Sequence, residues 1–422
     1  MLQISFIRQH TDLVKERLGT RYFGELSIVD KVVELDEQVR KLKVETETLQ
    51  AEMNSSSKEI GLLMGKGERA LAEEKKQQVA LHKTYLQALN EQLSNAEKQL
   101  HDELIKLPNL PHNSVKKGKT PEENEVVREG GNVPVLGAGA VPHWDLIKQY
   151  DLVDFETGAK LTGSGFPLYK GKGAKLQRAL VQYFLEYNTA AGYTEYLPPL
   201  MVNEASAYGT GQLPDKEGQM YHVTTDGLYL IPTAEVPVTN IYRDEIIKEN
   251  DLPVKMTAYT PCFRREAGSF GSDVRGLNRV HQFDKVEIIQ LVHPGESYIV
   301  LESMVAHVEQ LLKSLELPYR VLRLCGGDMG FTSALTYDFE VYSAAQQKWL
   351  EVSSVSNFES FQTNRMKIRF KDGGGKTQLL HSLNGSSLAL PRIVASLLEN
   401  NQTPTGINLP GVLHPYFGAS SI

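Results

Sequence analysis

Residues Phe263 to Glu287 read FRREAGSFGSDVRGLNRVHQFDKVE. The stretch is entered through Met256, Ala258, Tyr259 and Cys262, which read as a strand. It leaves through an apolar run from Val286 to Val292, broken by Glu287 and Gln290. Two such runs joined by a glycine-rich connection predict a hairpin. The connection holds Gly268, Gly271 and Gly276 among Arg264, Arg265, Arg275 and Arg279. A pliable backbone carrying planar guanidinium forks can close on phosphate oxygens. A solvated basic hairpin has the same composition, so the surrounding segments must decide between the two.

Three of those segments carry polar groups at the ends of apolar runs. Tyr229 to Glu235 (YLIPTAE) reads as a strand ending in a loop with a carboxylate at its tip. Trp349 to Ser354 (WLEVSS) reads as a strand whose Glu351 and Ser354 converge on one ion only if the strand kinks or bulges between them. Leu383 to Arg392 (LNGSSLALPR) enters an apolar helical run, Ile393 to Leu398. Taken singly, each has a plain reading: a first-turn helix charge, an amphipathic strand with one exposed acid, a helix start.

Together they have a sharper one. Phe263, Arg264 and Glu266, followed by a loop and Phe283, resemble the second signature motif of class II aminoacyl-tRNA synthetases. The ending His281-Gln282-Phe283-x-Lys285-x-Glu287 is similar to that of the seryl-tRNA synthetase family. The helical pattern from Leu176 to Tyr187, leading to Tyr196-Leu197-Pro198-Pro199-Leu200, resembles the first motif, which builds the family's dimer interface. Leu383 to Arg392 resembles the third. The resemblance runs over essentially the whole chain. It implies an α+β fold: a class II antiparallel sheet flanked by helices, preceded by a long antiparallel helical hairpin.

The resemblance also implies roles. Arg264 and Arg392 would be catalytic, Arg264 gripping the α-phosphate and the substrate carboxylate, Arg392 reaching the γ-phosphate. Glu266 would accept from the adenine amino group, and Phe283 would stack on the ring. Arg265, Val280, Glu351, Val352, Ser353 and Ser354 would complete the ATP site, with Glu351 and Ser354 as hard oxygen ligands for Mg²⁺. Thr233, Ala234, Glu235, Glu287, Asn384 and Ser386 would form the serine pocket with Arg264. Two positions depart from the family. Arg265 stands where Ser is usual, and strand alternation would point it away from residues 264 and 266. Ser387 replaces a glycine common in bacterial members.

The N-terminal quarter has a different grammar. Leu35, Val39, Leu42, Thr46, Leu49, Met53, Ser56 and Ile60 follow a four-three heptad spacing. Gly61, Gly65 and Gly67 interrupt it. A second series, Val79, His82, Leu86, Leu89, Leu93, Ala96 and Leu100, runs on towards Pro108. Two long antiparallel helices are predicted, each roughly 45 to 60 Å long, with one apolar stripe apiece. His82 reads as a packed seam residue. Lys58, Lys66, Arg69, Lys75 and Lys76 cluster near the turn. Such charge runs are ordinarily solvated surface; the resemblance implies instead that they hold the long variable arm of serine tRNA, by backbone and shape.

The 422 residues allow two or three domains, and the net charge of -7 confines any RNA site to a local basic patch. The boundaries expected are 1–107 for a tRNA-binding domain with its arm at about 30–107, 108–135 for a polar connector, and 136–422 for the catalytic domain. Gly171-Lys172-Gly173 and Gly375-Lys376-Thr377 lack the spacing of a P-loop. Two cysteines without CxxC spacing and no 18-residue apolar run suit a reduced cytoplasmic protein. The activity implied is ATP-dependent attachment of serine to tRNA by a homodimer, with selenocysteine tRNA as a second substrate. The alternatives are amino-acid activation for a carrier protein and a non-catalytic RNA-binding homologue.

Overall fold

The computed structural model describes residues 1–215, 217–266 and 275–422, in two compact units: residues 1–19 with 23–108, and residues 20–22 with 109–422. Gly268 and Gly271 of the expected hairpin loop lie outside the described residues.

The first unit contains α1 (Ile4–Gln9), α2 (Thr11–Thr20), α3 (Ser27–Lys66) and α4 (Arg69–Leu104). The heptad reading accounts for the pairing of α3 with α4. Leu35, Val39, Leu42, Leu49, Leu89 and Ala96 are buried, and the other seam positions, Thr46 and His82 among them, are half-buried. Val44 and Leu81, apolar but off the seam, are exposed. Of the three glycines expected to break α3, only Gly67 does. The helix runs through Gly61 and Gly65, then ends at Gly67 with φ +80. There the amides of Gly67 and Glu68 donate back to Met64 and Leu63 carbonyls, closing the last turn. Near the other end of α3, buried Asp36 accepts from Arg8 at 2.6 Å and Arg40 at 3.1 Å, tying α1 to it.

The second unit is built on eight strands: β1 (Glu125–Gly130), β2 (Thr194–Tyr196), β3 (Val254–Phe263), β4 (Gln282–Val292), β5 (Tyr319–Arg323), β6 (Leu335–Ser343), β7 (Lys348–Asn357) and β8 (His381–Ala389). Their order is β1-β5-β6-β7-β8-β4-β3-β2, antiparallel except for the β2–β3 pair. β2 stops short of Pro198 and Pro199, which have no N–H for a ladder. β1 lies inside the stretch expected to be a connector. Residues 109–135 therefore belong to the compact unit, and the polar composition of that stretch reflects an edge strand and its approaches.

Alternation sets the two faces of the sheet. In β6, Phe339 and Val341 enter the main core while Asp338 and Glu340 take the opposite face. In β4, Val286, Ile288 and Val292 join that core, and Ile289 and Leu291 join a second one with Met256, Ile368 and Phe370. The main core is closed by α6 (Gly171–Ala190), α8 (Ser297–Ser314) and α9 (Leu390–Asn400). Two shorter helices accompany these: α5 (His143–Gln149), which precedes α6 in the chain, and α7 (Glu235–Thr239), which lies between α6 and α8 in the chain.

The seam makes a simple prediction for the first unit. Leu89→Ala should cost about 2–5 kcal/mol by leaving a cavity between α3 and α4, whereas Leu81→Ala should stay within about 0.5 kcal/mol. Urea unfolding followed at 222 nm checks both, and equal costs would mean that the helices pair in another register.

Candidate functional site

The β3–β4 hairpin places Phe263 opposite Gln282, Thr260 opposite Lys285 and Ala258 opposite Glu287. Beyond β3 the ladder continues one step, with the Arg264 amide donating to His281 at 2.9 Å. The chain then turns: the Arg265 amide donates to Gln219, and Glu266 adopts φ +48. Arg265 is exposed, but not through strand alternation, because β3 ends two residues before it. Across the hairpin mouth Glu266 accepts from Arg279 in an ion pair. The Arg264 guanidinium lies 5.2 Å from the centre of the Phe283 ring.

One cavity of about 540 Å³ is bordered by every serine- and ATP-site residue expected from the sequence except Ala234 and Arg265. Ala234 is buried in the second core instead. The cavity's acidic end, around Glu235 and Glu287, and the part around Glu351 and Arg392 are built differently.

At the acidic end stand Glu287 on β4 and Glu235, the first residue of α7, both buried. Glu287 accepts from Lys285 Nζ at 2.5 Å and Thr233 Oγ1 at 3.1 Å, while Lys285 also donates to Thr233 at 2.9 Å. Glu235 accepts from Gln362 at 2.6 Å. Burial, reinforced by the nearby Glu287 charge, pushes the Glu235 carboxyl up to about 7. Lys285 received no role in the sequence reading. Its signal was there: two residues before Glu287 on one strand, it shares that residue's face.

The part around Glu351 and Arg392 depends on a bulge. Between β6 and β7 the register passes from Phe339–Ser353 to Glu340–Glu351, leaving Val352 unopposed. Strict alternation would put Glu351 and Ser354 on opposite faces. With the extra residue they meet, Ser354 Oγ lying 3.5 Å from Glu351 Oε1. Ser354 also donates to Asp338 at 2.5 Å. Burial, with the Glu351 charge beside it, holds the Asp338 carboxyl well above the ordinary range. Asp338 likewise received no role in the sequence reading; the β6–β7 register brings it against Ser354, although it does not itself border the cavity. Arg392, in the first turn of α9, donates through Nε to the Asn278 carbonyl at 2.8 Å and through Nη1 to the Glu351 carbonyl at 2.6 Å.

β8 closes the floor, with Asn384 and Ser386 on the cavity and Ser353 donating to the Ser386 carbonyl at 2.6 Å. Ser387 faces the other way and donates to Asn188 of α6 at 2.9 Å. That departure from the family pattern therefore lies behind the sheet. In the first unit, Lys75 pairs with Glu59 at 2.8 Å and Lys76 with Glu73 at 3.1 Å. Among the described residues Lys58, Lys66 and Arg69 form no ion pair and are exposed.

Residues 221–401 match the profile of the tRNA synthetase class II core domain (G, H, P, S and T), and residues 1–111 that of the seryl-tRNA synthetase N-terminal domain. A serine–tRNA ligase of Salinibacter ruber is 50% identical over 424 residues, spanning 100% of this chain and 99% of the relative. The crystal structure of seryl-tRNA synthetase from Pyrococcus horikoshii complexed with ATP matches with a TM-score of 0.93 at 33% identity, covering 100% of this chain and 99% of that one. The cytoplasmic serine–tRNA ligase from Naegleria fowleri in complex with AMP matches at 0.88 and 26%, covering 100% and 98%.

Glu235 gives the site a pH signature. A carboxyl raised from its ordinary value near 4.5 to about 7 holds its proton more tightly folded than unfolded. Its contribution to stability is present below the unfolded value and is lost as pH rises through the folded one. Between about pH 4.5 and 7 the protein should therefore lose stability relative to Glu235→Gln, which cannot ionise. Thermal unfolding of both proteins across that window checks this; parallel curves would show an ordinary carboxyl.

Proposed function

The chain belongs to the seryl-tRNA synthetase family of class II, and from that premise we propose that the cavity bordered by Glu235, Glu287, Arg264 and Arg392 activates serine with ATP and then charges tRNA. The observation that carries the reading is the set of groups on one cavity: the buried carboxylates Glu235 and Glu287, Arg264 against the Phe283 ring, and Arg392 beside Glu351. Glu235, Glu287 and Thr233 suit the ammonium and hydroxyl of serine. Arg264 suits its carboxylate and the α-phosphate, Phe283 the adenine ring, and Arg392 the terminal phosphate.

In the first step the serine carboxylate attacks the α-phosphorus, forming the acyl-phosphate bond as pyrophosphate departs. In the second, a hydroxyl of the terminal adenosine of tRNA attacks the acyl carbon, and AMP leaves with the former bonding pair. No side-chain nucleophile is needed. The residues act by holding the reactants in line and by placing guanidinium charge where phosphate charge develops. Alanine would leave Glu287, Asn384 and Ser386 without the substrate hydroxyl, a mismatch worth up to about 10⁴-fold. Threonine is excluded by pocket size, a weaker filter.

The pairing of Glu351 with Ser354 across the bulge fits Mg²⁺, which favours hard oxygens. Among the described residues no group of three or more His, Cys, Asp or Glu is arranged for a metal, so phosphate oxygens and water would complete the shell. The bound ion would neutralise phosphate charge during adenylate formation. Lys58, Lys66 and Arg69, with Lys75 and Lys76 beside them, suit the backbone of the long variable arm of serine tRNA. A homodimer formed near β2 and the exposed Leu197 and Met201 follows from the family resemblance. Among the described residues no helix is long and apolar enough to cross a membrane; a role in translation suits a cytoplasmic protein. The non-catalytic alternative has no need of Arg264, Glu266, Glu351 and Arg392 gathered on one cavity.

Exchange of pyrophosphate into ATP, measured with each of the twenty amino acids and no tRNA, tests the activation step. Serine alone should support it, and no exchange with any of them would favour the non-catalytic homologue. Glu287→Ala should raise the serine KM far more than the ATP KM; an equal loss of both would remove Glu287 from the serine pocket. Replacing Lys58, Lys66 and Arg69 together by Ala should raise the KM for serine tRNA and for selenocysteine tRNA. The logarithmic salt slope should fall by about 0.7 to 0.9 per lost phosphate contact, with pyrophosphate exchange retained. An unchanged tRNA KM would move the RNA site elsewhere.

A further inference from the structure

Two turns beyond Arg392 on α9, Glu399 is fully buried near the C-terminal end of the helix, where the macrodipole disfavours a negative charge. Burial by itself raises its carboxyl, yet hydrogen bonds outweigh that and hold it below the ordinary range. The donors are His143 Nδ1 at 2.7 Å, the His143 amide at 2.9 Å, Gln346 Nε2 at 2.8 Å and the Ser343 hydroxyl. Four donors satisfy a carboxylate without a cation.

His143, the first residue of α5, is equally buried. Its Nε2 lies 2.9 Å from the Leu277 amide. An amide can only donate, so Nε2 presents a lone pair and the ring proton sits on Nδ1, facing Glu399. The approach is close because of Gly276, which has φ +65 and no Cβ; one built there would meet His143 Nε2 at 2.3 Å. On either side of this contact, Arg275 stacks on Trp144 at 4.5 Å and Asn278 Nδ2 donates to Gln346 at 2.9 Å. The Asn278 carbonyl is the one that receives Arg392 Nε. The contacts close a ring: Arg392, Asn278, Leu277, His143, Glu399, and back along α9 to Arg392.

We propose that His143, as the Nδ1–H tautomer, is a positioning residue for adenylate formation: it ties the returning limb of the β3–β4 hairpin to α9 and so sets the Asn278 carbonyl that orients the Arg392 guanidinium. The inference rests on the reading of Arg392 as a phosphate ligand. The serine pocket around Thr233, Glu235 and Glu287 has no member in the ring, so the consequence of losing it is selective. A residue that only stabilised the fold would lower the unfolding temperature and leave the folded enzyme's preference between its two substrates untouched.

The test uses serine-dependent pyrophosphate exchange by the full chain. His143→Asn keeps an amide near Nδ1 for Glu399 but falls short of Leu277, whereas His143→Gln carries an acceptor out to the position of Nε2. His143→Asn should lower kcat about 100-fold and raise the ATP KM while the serine KM stays within about twofold. His143→Gln should recover about tenfold of that loss. Gly276→Ala, which reaches the same contact from a half-exposed position, should reproduce the pattern of His143→Asn. If exchange by the unaltered protein is absent, the proposed function fails. If that exchange is present but His143→Asn and Gly276→Ala stay within about threefold of it, or the loss falls equally on serine and ATP, the positioning role alone is overturned. Should His143→Asn not fold, ¹⁵N spectra of histidine-labelled unaltered protein, assigned by the peak missing in His143→Gln, decide together with Gly276→Ala. A proton on Nδ1 and a bare Nε2 supports the ring; a proton on Nε2 overturns it.

Discussion

A carboxylate in the middle of a sheet cannot reach water, so each one must be matched where it stands or give up its charge. Glu287 sits on β4, a strand paired on both sides and buried along most of its length. It meets this constraint with Lys285 and Thr233. Glu235, a short distance away with only neutral donors, meets it by holding its proton more tightly. The same requirement governs Glu399, two turns beyond Arg392 on α9, satisfied by four donors and no cation. Much of the polar architecture of the second unit can be understood as the matching of these three acids.

The matching works because strand periodicity is broken in chosen places. At Val352 one extra residue turns Glu351 and Ser354 to the same side and brings Asp338 against them. At the end of β3 the chain leaves the ladder, so that Glu266 meets Arg279 across the mouth of the hairpin. At Gly276 the absence of a side chain lets backbone approach an imidazole. Regular alternation builds the two cores; the interruptions build the chemistry.

The first unit is simpler. Its helices need only one apolar stripe each, and off-seam apolar residues such as Val44 and Leu81 are left in solvent. Its polar surface is thereby free to carry charge for another purpose, while the net charge of the whole chain remains -7.

By itself the sequence determined the helical hairpin, because a heptad is a local property: Leu35, Val39, Leu42 and Leu89 declare their burial within a few turns of chain. Its resemblance to a known family also named residues for the cavity, all of which border it except Ala234 and Arg265, although others there, Lys285 and Asn278 among them, received no role. Only the tertiary structure decided that Lys285 shields Glu287, that Asp338 reaches Ser354, that β1 arises within an apparent connector, and that His143 serves Glu399 from 256 positions away. Those facts depend on register and on long-range packing. A one-residue shift in pairing would turn the same side chains to opposite faces, and no local pattern records which register the sheet adopts.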